Sequence, residues 1–283
     1  MSVSVRVCGV PEHFNFPWLL ALREGAFDDR GIDLHWTDVP EGTGKMCELL
    51  EREKTDLAVI LTEGAIKAIS EGLPAGIVQG YIATPLLWGI HVWAGSPYQR
   101  PEELEGRMAA ISRFGSGSHL MAYVNAKNRN WDLSALRFHL AGTLDGAVAA
   151  LQGGSADYFM WERFTTQPLV DSGIFRRLDV CPTPWPCFVI ACRRAYYREH
   201  ANRVGHVLQI INRYTTEFRE IPSIDRTLSN RYHQKPGDVR EWLNLTQWSQ
   251  SQLKSKDIDL VSDTLLELNL LNKSIMAGEV CLP

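Results

Sequence analysis

LAVILTEGAIKAISEGLPAGIVQGYI, residues 57–82, decides the fold class of this chain. The apolar run Leu57 to Leu61 is typical of a short strand buried on both faces of a parallel sheet. Thr62 is placed to cap a helix over Glu63 to Ser70, which a glycine and a proline terminate ahead of a second strand, Ala75 to Ile82. A strand, a crossover helix and a second strand predict a parallel sheet covered by helices.

The same alternation extends outward from this stretch. The upstream elements predicted from patterning are strands over Val3 to Val10 and Ile32 to Val39, and helices over Trp18 to Phe27 and about Met46 to Glu53. Downstream, a long apolar strand at Leu87 to Ala94 precedes a second series of strands and helices from about residue 95 to 180. The C-terminal helices are predicted over Arg194 to His200, near Val204 to Glu220, and over Asp238 to Leu245, Trp248 to Lys254 and Ser262 to Leu271.

Two series of strands and helices in 283 residues predict an α/β chain of two lobes. Lobe I comprises residues 1–92 and 183–283, and lobe II comprises residues 95–180. The proline-rich stretch CPTPWPC, residues 181–187, excludes regular structure and, with residues 91–95, forms the predicted hinge. The ligand site is expected in a cleft between the lobes.

Composition excludes several function classes. A net charge of -4 disfavours nucleic-acid binding and a polybasic membrane anchor. The histidines lack metal-ligand spacing, no dinucleotide or phosphate-loop fingerprint is present, and no metal or cofactor is expected. The six cysteines form no CxxC pair and are expected to be buried or half-buried free thiols: Cys8, Cys47, Cys181, Cys187, Cys192 and Cys281.

The first ten residues, MSVSVRVCGV, lack the basic and apolar regions of an export signal, and no run of about 20 apolar residues could span a membrane. These features favour a cytoplasmic location for the chain as written. A periplasmic location would require that a leader had been removed.

Loops that follow strands are the expected ligand-binding positions, because open α/β sheets bind ligands at the carboxyl ends of their strands. The loops selected by this rule are EHFNFPW (12–18), EGTGK (41–45), TEG (62–64), YIATP (81–85), SRFGSGSH (112–119) and WERFTT (161–166).

SRFGSGSH has two interpretations. The glycines, the serine hydroxyls and the start of a helix could bind an anion, with Arg113 as a two-pronged cation. Alternatively it is an ordinary turn in which Ser118 caps the helix and Arg113 is solvated.

The other loops also have two interpretations each. Thr43 and Gly44 could donate to a ligand, or Thr43 could cap its own helix. Trp161 could stack on a flat ligand or lie in the core, while Glu162 could accept from an amine or form an ion pair. Trp185, held between prolines, could line the cleft or fill space under the hinge.

Several segments together resemble a known family. They are residues 11–50, LAVILTEGAIKAISEG, YIATPLLWGIHVWA, ISRFGSGSHLMAY, DYFMWERFTTQPLVDSGIFRR and TPWPCFVIA. These are similar to type 2 periplasmic-binding-protein-like domains, in the branch related to thiamine-pyrimidine proteins and to nitrate, sulfonate and taurine transporter components. The resemblance covers about residues 3–195.

The resemblance implies a two-lobed, hinge-closing protein that binds a small polar, anionic or heteroaromatic molecule without catalysis. A membrane transporter would be its partner only with support from a leader sequence. Together with the loop positions, it implies this set of ligand-binding residues: Asn15, Phe16, Thr43, Gly44, Thr62, Glu63, Arg113, Gly115, Ser116, Gly117, Ser118, His119, Trp161, Glu162 and Trp185.

A second interpretation is an enzyme of pyrimidine or thiamine-precursor biosynthesis. Its candidate catalytic residues are Lys45, Lys67, His13 and His119. The fungal pyrimidine synthases that resemble this fold carry a CCCxC motif and a lysine–histidine pair, whereas here Glu71 lies one helical turn after Lys67. A third interpretation is a sensor whose ligand-bound form is recognised by a partner protein.

Overall fold

The structure is a computed structural model that describes residues 3–283. The chain divides into two compact units. The first contains the chain up to Thr84 and again from Trp185 onward, and the second contains Pro85–Pro184.

Unit 1 is built on a five-stranded sheet. Its elements are β1 (Val3–Gly9), α1 (Phe16–Arg23), β2 (Ile32–Asp38), α2 (Thr43–Glu51), β3 (Leu57–Leu61), α3 (Thr62–Ser70), β4 (Ala75–Ile82), β10 (Phe188–Arg193), α7 (Arg194–Glu217), α8 (Ile224–Tyr232), α9 (Pro236–Leu245), α10 (Ser255–Glu267) and α11 (Ala277–Val280). The strand order is β2-β1-β3-β10-β4, in which β1 runs parallel to β2 and β3, and β10 runs antiparallel to β3 and β4.

The centre of this sheet is buried on both faces. Every residue of β3 is buried, and so are the first five residues of β10. This explains why LAVIL reads as a continuous apolar run with no alternation, since helices cover both faces of the sheet.

Unit 2 repeats the plan with a second five-stranded sheet. Its elements are β5 (Leu87–Trp93), β6 (Met108–Ile111), α4 (Gly117–Asn128), β7 (Arg137–Leu140), α5 (Leu144–Gln152), β8 (Tyr158–Glu162), α6 (Gln167–Asp171) and β9 (Phe175–Pro182). The strand order is β7-β6-β8-β5-β9, in which β6 runs parallel to β7 and β8, and β5 runs antiparallel to β8 and β9. Its core includes Ala110, Ala147, Leu151, Phe159 and Phe175.

The unit boundaries differ from those predicted. The sequence places residues 85–92 in lobe I, whereas strand β5 lies between β8 and β9 in the second sheet. Antiparallel pairing with β8 and β9 satisfies its backbone on both sides, which draws the strand into unit 2. The chain therefore passes between the units at 84–85 and 184–185, not at 91–95, and the hinge itself stays a prediction.

The C-terminal part also corrects the prediction. Residues 248–254 are not helical: Trp248 pairs antiparallel with Ile82, and Ser249 N–H donates to the Tyr81 carbonyl at 2.8 Å. The outer side of β4 needs backbone partners, and this segment supplies them in place of a helix. Helix α8 was not predicted, and a break at His200 separates the two predicted helices that α7 joins.

Candidate functional site

In unit 1, the predicted loops meet at one edge of the sheet. The carboxyl ends of β1, β2, β3 and β4 and the amino end of β10 lie at this edge, because β10 alone is antiparallel. It carries the sequence-predicted residues of this unit: Asn15, Phe16, Thr43, Gly44, Thr62, Glu63 and Trp185.

Glu63 and Trp185 are in direct contact. The Trp185 indole Nε1 donates to Glu63 Oε2 at 2.8 Å, and both side chains are buried. The second oxygen, Oε1, is buried and has no hydrogen-bond partner among the described residues. Burial raises the pKa of Glu63 to about 7, and hydrogen bonds from its own backbone N–H and from Trp185 oppose that rise. The structure thus holds a carboxyl group that takes up a proton near neutral pH, with one oxygen still free to accept.

The two threonines at this edge do not cap their helices as predicted. Leu61 is the N-cap of α3, and Thr62 Oγ1 donates to the Pro186 carbonyl at 2.5 Å. Gly42 is the N-cap of α2, and Thr43 Oγ1 accepts from Leu61 N–H at 3.1 Å. Each hydroxyl connects a strand end to a neighbouring segment, because the polar backbone there needs partners that local turns do not supply. Gly44 is half-buried in the first turn of α2.

Asn15 and Phe16 begin the first helix and are both buried. The Asn15 amide Nδ2 donates to the Val10 carbonyl at 2.9 Å, and its Oδ1 has no partner among the described residues. Phe16 packs edge-on against Phe218, with the Arg231 guanidinium 5.6 Å from its ring centre. Phe16 is therefore part of the packing in this unit, and its ligand role stays a prediction.

In unit 2, the loop Ser112 to His119 is a capped turn. Ser116, not Ser118, is the N-cap of α4: its Oγ accepts from His119 N–H at 3.3 Å. Ser118 Oγ accepts from Ser112 N–H at 3.0 Å, and Gly115 N–H donates to His119 Nδ1 at 3.1 Å. The side chains of Ser116, Ser118 and His119 are thus occupied by the loop itself.

The backbone of this loop still has N–H groups that a ligand could use. The N–H groups of Gly117 and Ser118 make no hydrogen bond among the described residues, as the first N–H groups of a helix do when no ligand or side chain takes them. Gly115 has φ +78°, which favours glycine, and Arg113 lies half-buried in the same turn. The start of α4 keeps its partial positive charge for an acceptor outside the loop.

Glu162 ends β8, next to β6 in the sheet. Its Oε2 accepts from Thr165 N–H at 2.6 Å, and burial raises its pKa to about 7. Trp161 is half-buried, stacked on Phe159 with ring centres 5.3 Å apart and edge-on to Trp88. These contacts favour the core interpretation of Trp161, and stacking on a ligand stays a prediction.

The candidate catalytic groups are occupied or buried. Lys67 forms an ion pair with Glu71, and Lys45 forms one with Glu48 at 2.9 Å. Burial lowers the pKa of His13 to about 3, so the ring is neutral.

The cysteines lie where the sequence analysis expected. Cys47 and Cys281 are half-buried and the other four are buried. Burial raises the pKa of the Cys8 and Cys192 thiols to about 12, so neither is a reactive thiolate at neutral pH. Within residues 3–283, no cluster of His, Cys, Asp and Glu could hold a metal ion. None of the described helices is long and apolar enough to cross a membrane.

The sequence analysis missed the contacts that hold the first loop. Trp242 packs edge-on against His13 at 4.2 Å and Phe14 at 5.2 Å between ring centres. The Tyr81 hydroxyl donates to the Phe14 carbonyl at 2.8 Å. These contacts join positions far apart in the chain, and no local motif marks them.

Comparisons with known proteins agree with this architecture. The family model described as Ca3427-like PBP matches residues 88–180, which lie within unit 2. A search of curated proteins finds no match.

Solved structures match over nearly the whole chain. The CA3427 gene product of Candida albicans, described as showing the generic periplasmic binding protein fold, has a TM-score of 0.88 at 23% identity, over 96% of this chain and 92% of that chain. The alkanesulfonate-binding protein SsuA from Xanthomonas axonopodis pv. citri, bound to MOPS, has a TM-score of 0.82 at 19% identity, over 99% and 98%.

A third similar structure is the ligand-binding component of an ABC-type import system from Staphylococcus aureus, with zinc bound. Its TM-score is 0.78 at 12% identity, over 99% of this chain and 96% of that chain. The two mixed sheets and these similarities show that this chain has the periplasmic binding protein fold of the type 2 class, as its sequence resemblance implied.

Proposed function

We propose that this chain binds a small polar or anionic molecule through its strand-end loops and performs no chemistry on it. The observation that carries the proposal is the start of α4. There the side chains of Ser116, Ser118 and His119 are engaged within the loop, and the backbone N–H groups of Gly117 and Ser118 are left to donate to a ligand. Two such N–H groups at a helix N-terminus suit an oxyanion.

Similar structures support the ligand class. One is described as an alkanesulfonate-binding protein and another as a ligand-binding component of an import system. A sulfonate oxygen accepts hydrogen bonds without donating any, which fits backbone N–H donors and the guanidinium of Arg113. Alkanesulfonates are therefore the first ligands to test, and a membrane transporter is the first partner to test by co-purification.

Closure about the two chain crossings is part of this proposal. Residues 84–85 and 184–185 connect the units and would serve as the hinge. A smaller radius of gyration in solution scattering on ligand addition would support closure, and an unchanged radius would count against it.

The non-catalytic part of the proposal rests on the state of the candidate groups. An imidazole kept neutral by burial at His13 and an ion-paired amine at Lys67 are poorly placed for acid–base or Schiff-base chemistry. Incubation with pyridoxal phosphate, borohydride reduction and mass mapping should yield no lysine adduct. An adduct at Lys45 or Lys67 would favour the biosynthetic enzyme instead.

Native mass spectrometry of the freshly purified protein, followed by calorimetry, tests the binding function. We expect a retained small molecule or measurable affinity for ethanesulfonate. Arg113→Ala should weaken sulfonate binding by about 1.5–3 kcal/mol, the value of a charge-assisted hydrogen bond. Arg100→Ala is the matched control, since that side chain is 74% exposed and paired with Glu103. Equal affinity in both variants would remove Arg113 from the site.

A further inference from the structure

Unit 1 carries two buried acceptor oxygens without donors at the ends of neighbouring strands. One belongs to Asn15, in the loop after β1, and the other to Glu63, directly after β3. Strands β1 and β3 are hydrogen-bonded neighbours in the sheet. Both side chains are 2% exposed.

The orientation of the Asn15 amide is fixed by its partner. The Val10 carbonyl can only accept, so the side-chain nitrogen must face it and Oδ1 must face away. Gly9 allows this placement, because a Cβ at position 9 would lie 2.7 Å from that nitrogen and 2.6 Å from the Trp36 ring. The free oxygen is thus held in place by the surrounding packing.

The orientation of the Glu63 carboxyl is fixed in the same way. Trp185 can only donate through its indole nitrogen, and it binds Oε2, which leaves Oε1 as the second unpartnered oxygen. Trp185 is buried and lies between two prolines, so its ring has little freedom to turn toward Oε1.

Two such oxygens are costly to keep. Most buried polar atoms in folded proteins are hydrogen-bonded, and each that is not costs roughly 1–3 kcal/mol. At pH 8 the Glu63 carboxyl is mostly ionised, so both of these oxygens accept and neither side chain offers them a donor. The missing partner must therefore supply N–H or O–H groups.

We propose that Asn15 and Glu63 form an acceptor subsite that selects ligands carrying an N–H donor group of the amine or amidine kind. This inference rests on the proposed binding function and deepens it. Unit 1 would recognise hydrogen-bond donors of a ligand, whereas the start of α4 in unit 2 would recognise acceptors. Glu63 determines specificity, and Trp185 is a positioning residue that orients its carboxylate.

Benzamidine and benzoate test this subsite, because they match in shape and differ in presenting donors or acceptors. Calorimetry on the full chain at pH 8 should show at least ten-fold tighter binding of benzamidine. Glu63→Gln should weaken benzamidine at least ten-fold, because the amide oxygen would accept from Trp185 and turn the NH₂ group toward the ligand donor. Glu71→Gln, an exposed carboxyl on the same helix, is the control and should change nothing.

Each outcome is decisive. The subsite would be overturned if benzoate bound as tightly as benzamidine, or if Glu63→Gln left benzamidine binding unchanged. It would also be overturned if water alone filled both acceptor positions and no benzamidine bound at 10 mM. Benzenesulfonate binding in that last case would leave the proposed function standing, whereas no binding of any probe would overturn both. The wild-type ratio needs no variant, so the test holds even if Glu63→Gln fails to fold.

Discussion

In each unit, polar side chains lie at the edge of the sheet where the strands end, but they form different kinds of hydrogen bond. In unit 1 two of the polar side chains bond to distant segments: Glu63 to Trp185, 122 residues away, and Thr62 to Pro186, 124 residues away. In unit 2 they bond within their own turn: Glu162 to Thr165, three residues away, and Ser116 to His119, also three.

This difference bears on what each edge can bind. A local turn satisfies its own side chains, so unit 2 offers a ligand mainly backbone donors. The edge of unit 1 leaves acceptor oxygens unpaired on Asn15 and Glu63, so unit 1 offers side-chain oxygens. The two buried carboxyls share a pKa of about 7, yet only Glu63 has a buried oxygen without a partner among the described residues.

The largest effect should come from removing the distant partner of Glu63. Trp185→Ala deletes a fully buried ring and the donor to Glu63, and should lower the free energy of unfolding by about 4 kcal/mol. Trp161→Ala, at a half-buried tryptophan in unit 2, should cost less. Urea denaturation followed by circular dichroism measures both. If both variants lost the same free energy of unfolding, Trp185 would matter no more to unit 1 than Trp161 does to unit 2.

The pH dependence of stability compares the two carboxyls directly. Burial raises each folded-state pKa above its unfolded value of about 4.3. The contribution of each carboxyl to stability is therefore fully present below about pH 4 and is lost as the pH rises through 7. Glutamine does not titrate. Relative to wild type, Glu63→Gln and Glu162→Gln should each gain about 2–3 kcal/mol between pH 5 and pH 8.

Urea denaturation at four pH values checks this prediction, with Glu71→Gln, a change at an exposed carboxyl, as the reference. A gain in one variant only would mean that the two carboxyls titrate differently despite equal burial. No gain in either would show that both ionise as exposed carboxyls do.

A smaller effect is expected for Thr62→Val. The change keeps the shape of the side chain but removes the hydroxyl that donates to the Pro186 carbonyl. Leaving that carbonyl unpaired should lower the free energy of unfolding by about 1–2 kcal/mol. Thr216→Val, an exposed threonine that bonds within its own helix, is the control. Equal losses in the two variants would mean that the long-range bond adds nothing.

The same distinction explains what could be predicted from the sequence. LAVIL and the apolar strands after it predicted the sheets, because burial on both faces leaves a pattern within a few residues. The loop Ser112 to His119 was recognised as a helix start for a related reason, since its cap and turn lie within eight residues. The turn interpretation named Ser118 as the cap, whereas Ser116 holds that position.

What escaped prediction depends on contacts between distant residues. Trp248 was assigned to a helix, but the open side of β4 recruited it as an extended segment. Strand β5 was assigned to the wrong unit because its partners, β8 and β9, lie some 70 to 90 residues further along the chain. The Glu63–Trp185 pair was predicted as two separate candidates, and no spacing rule joins them.

The smallest effect we predict is a local one. Ser116→Ala removes the N-cap of α4 and should lower the free energy of unfolding by about 1 kcal/mol. Because its bonds stay within the turn, faster hydrogen exchange should be confined to the first turn of α4, where the His119 amide loses its acceptor. Thr143→Ala, which removes the corresponding cap of α5, should give a similar loss at its own helix start. If hydrogen exchange became faster at β3 as well, the loop of unit 2 would be coupled to unit 1. The contrast between local bonding in unit 2 and long-range bonding in unit 1 would then be wrong.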